Sequence, residues 1–200
     1  MNIQPQFIET IKVYEGKFFN LPFHIRRMQS TASAFFGRMN NIIISEDDIP
    51  SQFRKGLVKC RIIYANTLLS IEYEHYSFRN IKSLTLIEDN EIEYSYKSTD
   101  RRQFNNLMQR KGNADDIIIV KNGLITDTSY TNLVFEDSSG LYTPDSYLLN
   151  GTKRQSLIRD GVVKERRIGV ADITSYSKVY LINAMMDIDD AICVSLDMII

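Results

Sequence analysis

Histidine and cysteine, the residues that announce most metal centres and nucleophilic triads, are scarce here, with two of each in 200 residues. His24 falls in an expected helix beside Arg26 and Arg27 and reads as a partly buried structural side chain. His75, in "EYEHYSF", reads as a surface residue of a strand. This argues against a zinc site or a histidine-based triad, and no metal ligand set is assigned. Cys60 and Cys193 sit in the apolar runs "VKCRIIY" and "AICVSL". Their spacing suits neither a metal nor a redox pair, so both read as buried thiols in a reducing compartment. The signatures GxGxxG, the P-loop, HExxH and GxSxG are all missing. So is a charge excess: 24 basic against 25 acidic residues give a formal net charge of −1. Proteins that hold nucleic acid or anionic membranes usually carry a basic excess. No apolar run approaches a membrane span. The start, "MNIQPQFIETIKV", has none of the regions of a signal peptide. The expected location is the cytoplasm.

What is present is a chain 44% hydrophobic, enough for one large domain or two small ones. No repeat, low-complexity tract or linker divides it. "FIETIKVYEGKFFNL" reads as two strands joined at Glu15-Gly16. Residues 22 to 36 read as a helix with Pro22 in its first turn and Gly37 as its C-cap. Phe23, Arg27, Ser30 or Thr31 and Ala34 share one face of that helix, with Met28 and Phe35 beside it. A short helix follows around Pro50 to Lys55. "LVKCRIIYA", "LLSIEYEHY", "KSLTLIED" and "EIEYSY" then alternate as strands. After a helix from about 100 to 111 come the short strands "DDIIIV", "GLIT", "YTNLVFE" and "GLYT". A helix from "NGTKRQSLIRDG" and the strands "VVKERRI", "KVYLINAM" and "AICVSL" complete the chain. The expected fold is α+β in two subdomains. Residues 1 to 96 form an antiparallel sheet with helices, and residues 97 to 200 form a β-rich, barrel-like unit.

Two stretches carry unexplained chemistry. In "NGLITDTSYTNLVF" the Asn122-Gly123 turn should launch a strand, yet Thr126, Asp127, Thr128, Ser129, Thr131 and Asn132 crowd its middle. A buried acid is costly unless something positive faces it. In "YSYKSTDRR", Lys97 follows an expected strand and precedes a helix start. Most lysines so placed are simply solvated, but one held by a partly apolar strand can have a lowered pKa suited to Schiff-base chemistry. A Schiff-base cofactor such as pyridoxal phosphate would supply the partner that Asp127 lacks, because its ring nitrogen must stay protonated. Its phosphate would suit the backbone amides where "NGTKR" opens a helix.

Four segments, in order, resemble the class IV aminotransferases, the fold-type-IV pyridoxal-phosphate enzymes. "FIETIKVYEGKFFNLPFHIRRMQSTA" resembles that family's amino-terminal segment, and "KSTDR" its catalytic-lysine segment. "NADDIIIVKNGLITDTSYTNLVF" and "YTPDSYLLNGTKRQSLI" resemble its two later signatures. The resemblance implies that Lys97 carries the cofactor, that Arg27 binds its phosphate and that Asp127 faces the pyridine nitrogen. It implies that Thr152 and Lys153 cup the phosphate through their N–H groups and that Asn183, in "LINAMM", lies on the phosphate side. It also implies a homodimer with the cofactor in a cleft between the subdomains. Two departures stand out. The family usually has glutamate where this chain has Asp127, so the backbone must come closer or a water must bridge. The chain is also short between Lys97 and Asp115, which reduces the loops that would cover a substrate. "NGTKRQ" and "INAMM" resemble the branch of aminodeoxychorismate lyase, which releases pyruvate and p-aminobenzoate. The alternatives are an amino-acid transaminase, for branched-chain or D-amino acids, and a non-catalytic relative acting as a binding module. Arg61, Arg101 and Arg154 are all candidates for binding the substrate's ring carboxylate.

Overall fold

The computed structural model describes residues 4–37, 42–190 and 192–200. The chain forms two compact units. The first comprises residues up to 78 together with 96–100; the second comprises 79–95 with 101–200.

The first unit is a four-stranded antiparallel sheet with one helix. Strand β1 (Phe7–Tyr14) turns at Glu15-Gly16 into the short β2 (Lys17–Phe18). Both turn residues have positive φ, 50° and 73°, the backbone twist that a two-residue hairpin needs. Helix α1 (Leu21–Phe36) starts with Pro in its first turn and stops at Gly37, whose φ of 78° lets its amide reach back to the Ser33 carbonyl. Strands β3 (Leu57–Tyr64) and β4 (Leu68–His75) complete the order β2-β1-β3-β4. The core gathers Phe7, Ile11, Val13, Met28, Val58, Cys60, Ile62 and Tyr64, the inward positions of β1 and β3 plus α1. The buried stripe of α1 runs Phe23, His24, Met28, Thr31 and Ala32, and Phe35 stays largely exposed. This differs from the expected face through Arg27 and Ala34, because Met28 and His24 are the side chains that the sheet covers. The expected helix at Pro50 to Lys55 is instead a pair of single 3-10 turns, Glu46–Asp48 and Ser51–Phe53.

The second unit holds two open sheets, and no closed barrel forms among the described residues. One has the order β5-β6-β7: β5 (Leu84–Glu88), β6 (Asp116–Lys121) and β7 (Leu124–Thr128). Strand β5 pairs parallel to β6, so it belongs here and not with the antiparallel sheet of the first unit. The unbroken apolar run of β6 matches a strand covered on both faces. The five-stranded sheet has the order β10-β9-β8-β11-β12. It is built from β8 (Asn132–Asp137), β9 (Gly140–Pro144), β10 (Lys164–Arg166), β11 (Lys178–Ile182) and β12 (Cys193–Ser195). Helices α2 (Arg102–Met108) and α3 (Thr152–Arg159) accompany them.

Two local expectations need correction. "EIEYSY" is not a strand: Ile92 and Tyr94 are buried anchors in an irregular segment whose Glu91, Glu93 and Ser95 face solvent. Cys193 is exposed, because β12 is only three residues long and buries just Val194; Cys60 is buried as expected. Ala191, at the start of "AICVSL", lies outside the described residues.

Truncating Ile62, fully buried at the centre of β3, should cost about 2–5 kcal/mol of stability as Ile62→Ala. Leu69→Ala on β4, where the side chain is 49% exposed, should change the urea midpoint little by comparison. Equal midpoint shifts would mean that the first unit does not have this core.

Candidate functional site

In the first unit the alternation of β1 places Phe7, Glu9, Ile11 and Val13 on the inward face, so one carboxylate points into an apolar layer. Glu9 is fully buried. Arg27 clasps it with two bonds, Nε to Oε1 at 2.8 Å and Nη2 to Oε2 at 2.6 Å. His24, one helical turn before Arg27, meets Oε2 through Nδ1 at 2.6 Å. Burial alone would push the Glu9 carboxyl up. The charge and hydrogen bonds of Arg27, joined by those of His24, outweigh it and hold the group at about 2. His24 moves the other way. Burial lowers it, the positive fields of Arg27 and Lys97 add to that, and the bond to Glu9 only partly offsets the effect. The cluster is therefore a carboxylate–guanidinium pair with a neutral imidazole locked beside it.

Lys97 is half-buried and its backbone is tied to β1. The Ile8 amide donates to the Lys97 carbonyl at 2.9 Å, and Ser98 bridges to Phe7. Thr99 continues this pairing through its amide to the Gln6 carbonyl at 3.0 Å. The lysine is thus fixed as an added edge residue beside the strand that carries Glu9, not at the end of a strand of its own.

In the second unit the polar stretch is not the middle of one strand. The chain leaves the three-stranded sheet at Thr128 and enters the five-stranded sheet at Asn132. The corner is closed by Thr128 N–H to the Thr131 carbonyl at 2.9 Å, and by the paired hydroxyls of Thr128 and Thr131. A passage between two sheets has no ladder partners of its own, so hydroxyls and amides must satisfy it. Asp127 is buried there. Oδ1 accepts from Asn132 Nδ2 at 2.8 Å, and Oδ2 accepts from the Leu149 amide at 2.9 Å. Both donors are neutral, and no ion pair to Asp127 forms among the described residues. Burial pushes its carboxyl up to about 6, against the pull of those two bonds and of the charge on Arg154.

Gly151 precedes α3 and packs on the same amide. A Cβ at this position would sit 1.9 Å from Asn132 Oδ1, so only glycine fits. It also has no side chain to cap α3, and the first-turn amides of that helix form its positive end. Thr152 is buried at that end. Lys153 turns its ammonium to Asp187. Asn183 braces a tight turn, its Oδ1 accepting from the Met185 amide at 2.8 Å.

The sites expected from sequence thus fall into two sets. Arg27 and Lys97 lie in the first unit, against β1. Asp127, Thr152 and Lys153 lie in the second, around the corner and α3, with Asn183 in a separate turn of that unit. Sequence reasoning missed Glu9, His24 as its partner, and the Asn132–Gly151 contact. The signal for Glu9 was available: an acid at a core position of a strictly alternating strand demands a cation.

The Glu9 cluster sets a pH dependence whose sign can be worked out. A carboxyl lowered from 4.5 to about 2 contributes stability that is present above the unfolded value and is lost as pH falls from about 4.5 towards 2. At neutral pH, Glu9→Gln should therefore cost roughly 3 kcal/mol. The gap between wild type and variant should narrow steadily over that acid window in urea titrations. A gap that stayed constant down to pH 2 would show that the ion pair contributes nothing to folding.

Residues 6–189 match the family model for amino-transferase class IV. An uncharacterised protein from Haemophilus influenzae is 34% identical over 180 residues, covering 88% of this chain and 96% of that one. Among solved structures, a provisionally named 4-amino-4-deoxychorismate lyase from Haemophilus somnus 129PT superposes with a TM-score of 0.81 at 30% identity. It covers 92% of this chain and 98% of its own. A hypothetical aminotransferase from Mycobacterium tuberculosis, in its PLP-bound form, gives 0.69 at 17% identity, with 90% and 78% covered; it speaks to the fold alone. The mixed α+β architecture, the order of the four segments and the extent of the match agree, and the chain belongs to the amino-transferase class IV family.

Proposed function

We propose that this protein is a pyridoxal-phosphate enzyme that cleaves 4-amino-4-deoxychorismate to pyruvate and p-aminobenzoate. The observation that carries the cofactor reading is Asp127: a buried carboxylate, pushed up to about 6, whose direct partners are two neutral donors. Such a group lacks a cation, and a protonated pyridine nitrogen is a cation of the right size and shape. The residues present fit the cofactor in its other parts too. Lys97 offers an amine on a backbone held at both sides. The uncapped start of α3 offers amides to a phosphate, and Arg27 offers a guanidinium whose plane Glu9 has already fixed.

When bound, pyridoxal phosphate supplies an electron sink for charge that develops next to the substrate's amino group. The chain's own residues do the rest. Lys97 Nζ would hold the group and would take and return the proton. Asp127 would keep the ring nitrogen protonated, and Asn132 and the Leu149 amide hold Asp127 in place. Arg27, Thr152 and Lys153 hold the phosphate end, with Asn183 assigned to the same side. A homodimer is the assembly we infer from the family.

The lyase reading rests on "NGTKRQ" and "INAMM" and on the likeness to the Haemophilus somnus protein. The test has two parts. Borohydride treatment of protein mixed with pyridoxal phosphate should fix the cofactor on the peptide that contains Lys97, and Lys97→Ala should abolish this. Aminodeoxychorismate should then yield p-aminobenzoate and pyruvate, with little amino-group transfer from amino acids to 2-oxoglutarate. Robust glutamate formation without p-aminobenzoate would replace the lyase with a transaminase. A protein that never takes up the cofactor would leave a binding module.

A further inference from the structure

A substrate that carries a carboxylate on a six-membered ring needs a cation to receive it, and the structure separates the three arginines that could serve. Arg154 is buried and its charge is paired. It is 2% exposed, stacked on Tyr147 with its guanidinium carbon 4.0 Å from the ring centroid. Its terminal nitrogens donate to Glu165, the Pro144 carbonyl and Asn150 Oδ1, and the Glu165 carboxylate balances its charge. Arg61 lies on β3 among the carboxylates of Glu72 and Glu74, which already balance its charge. Arg101 is different. Its guanidinium lies over Phe104, 3.8 Å from the centroid, with Tyr94 at 5.3 Å. Its hydrogen bond is from Nη2 to the Ser129 carbonyl, two residues beyond Asp127. No carboxylate among the described residues pairs with it. The buried acids of the corner take neutral donors: Asp127 accepts from Asn132 and the Leu149 amide, and Asp116 Oδ1 accepts from the Ile117 amide.

We propose that Arg101 is the residue that binds the substrate's ring carboxylate, an inference that rests on the lyase reading above. A guanidinium has five donors in a rigid plane. Here one edge is anchored on a carbonyl and one face on an aromatic ring, which fixes the plane before any ligand arrives. The donors that remain form a flat fork, the geometry that accepts both oxygens of a carboxylate. The corner that Arg101 grips is also the corner that presents Asp127, so the carboxylate site and the ring-nitrogen site share one rigid support within the second unit. The preference conferred is for a substrate that carries a carboxylate, and it is independent of the groups that hold the phosphate.

The experiment is calorimetric titration of the cofactor-loaded protein with 4-aminobenzoate and with aniline, which differ only by the carboxylate. Wild type should bind 4-aminobenzoate on the order of 10-fold or more tightly than aniline, the worth of one charge-assisted pair. In Arg101→Gln the ratio should fall to about one through loss of 4-aminobenzoate binding alone, with aniline affinity and the cofactor's absorbance unchanged. Arg101→Lys, which keeps the charge and loses the fork, should fall between, and it decides the matter if the glutamine variant does not fold. An unchanged ratio in the variants would overturn the proposal. So would equal losses for both ligands together with an altered cofactor spectrum, since Arg101 would then be only a strut for the corner. Failure of the lyase reading looks different: wild type would discriminate between the two ligands through Arg101 yet release no p-aminobenzoate from aminodeoxychorismate. Release of p-aminobenzoate without discrimination would leave the lyase standing and remove Arg101.

Discussion

A carboxylate cut off from water is costly unless something positive meets it, and Glu9 is where the first unit supplies that partner. The strand cannot place Phe7, Ile11 and Val13 in the core without also placing residue 9 there, because alternation leaves no choice. Helix α1 answers with His24 and Arg27 from successive turns. The pairing therefore fixes more than a side chain: it sets which face of α1 lies on the sheet. It explains why the buried stripe passes through His24 and Met28 instead of the face that hydrophobic periodicity selects. The same bonds hold the guanidinium plane of Arg27.

Asp127 is the same functional group in a different setting. Where Glu9 receives a guanidinium and drops to about 2, Asp127 receives two neutral donors and rises to about 6. Burial acts in the same direction on both, so the difference lies in the partners. One carboxylate is a finished ion pair. The other is satisfied in hydrogen bonds and unsatisfied in charge, the state expected of a group kept for a cationic ligand.

Much of the architecture was legible because its signals are local. The two-residue turn at Glu15-Gly16, the proline start and glycine stop of α1 and the apolar run of β6 each depend on a few adjacent residues. The family was legible as a set of motifs, in the segments around Arg27, Lys97 and Asp127 and in "NGTKR". What escaped was non-local. Strand β5 joins β6 in parallel across a long stretch of chain, which no pattern inside "KSLTLIED" reveals. The polar stretch was misread as a strand centre, because hydroxyls that satisfy a passage between two sheets look, in sequence, like hydroxyls along one strand. Cys193 was assigned to the core on the apolar character of its neighbours, while burial on a three-residue edge strand reaches only the central position. The Asn132–Gly151 contact brings together residues whose identities are individually unremarkable.

The distribution of arginine charge follows from these constraints. On the proposed function, the cofactor's phosphate and the substrate's carboxylate would each need a positive group. Each of these arginines has a different degree of prior commitment. Arg154 is paired with Glu165, and its charge reaches Asp127 only through space. Arg27 is committed along one edge to a buried acid. Arg101 is committed to a carbonyl and an aromatic face, neither of which cancels its charge. A cation held in place by neutral groups keeps its full attraction for an anion. Holding a charge without cancelling it is the same device in both senses: Asn132 and Leu149 do it for the negative Asp127, and Ser129 and Phe104 do it for the positive Arg101. The two meet at one corner of the chain, between Thr128 and Asn132.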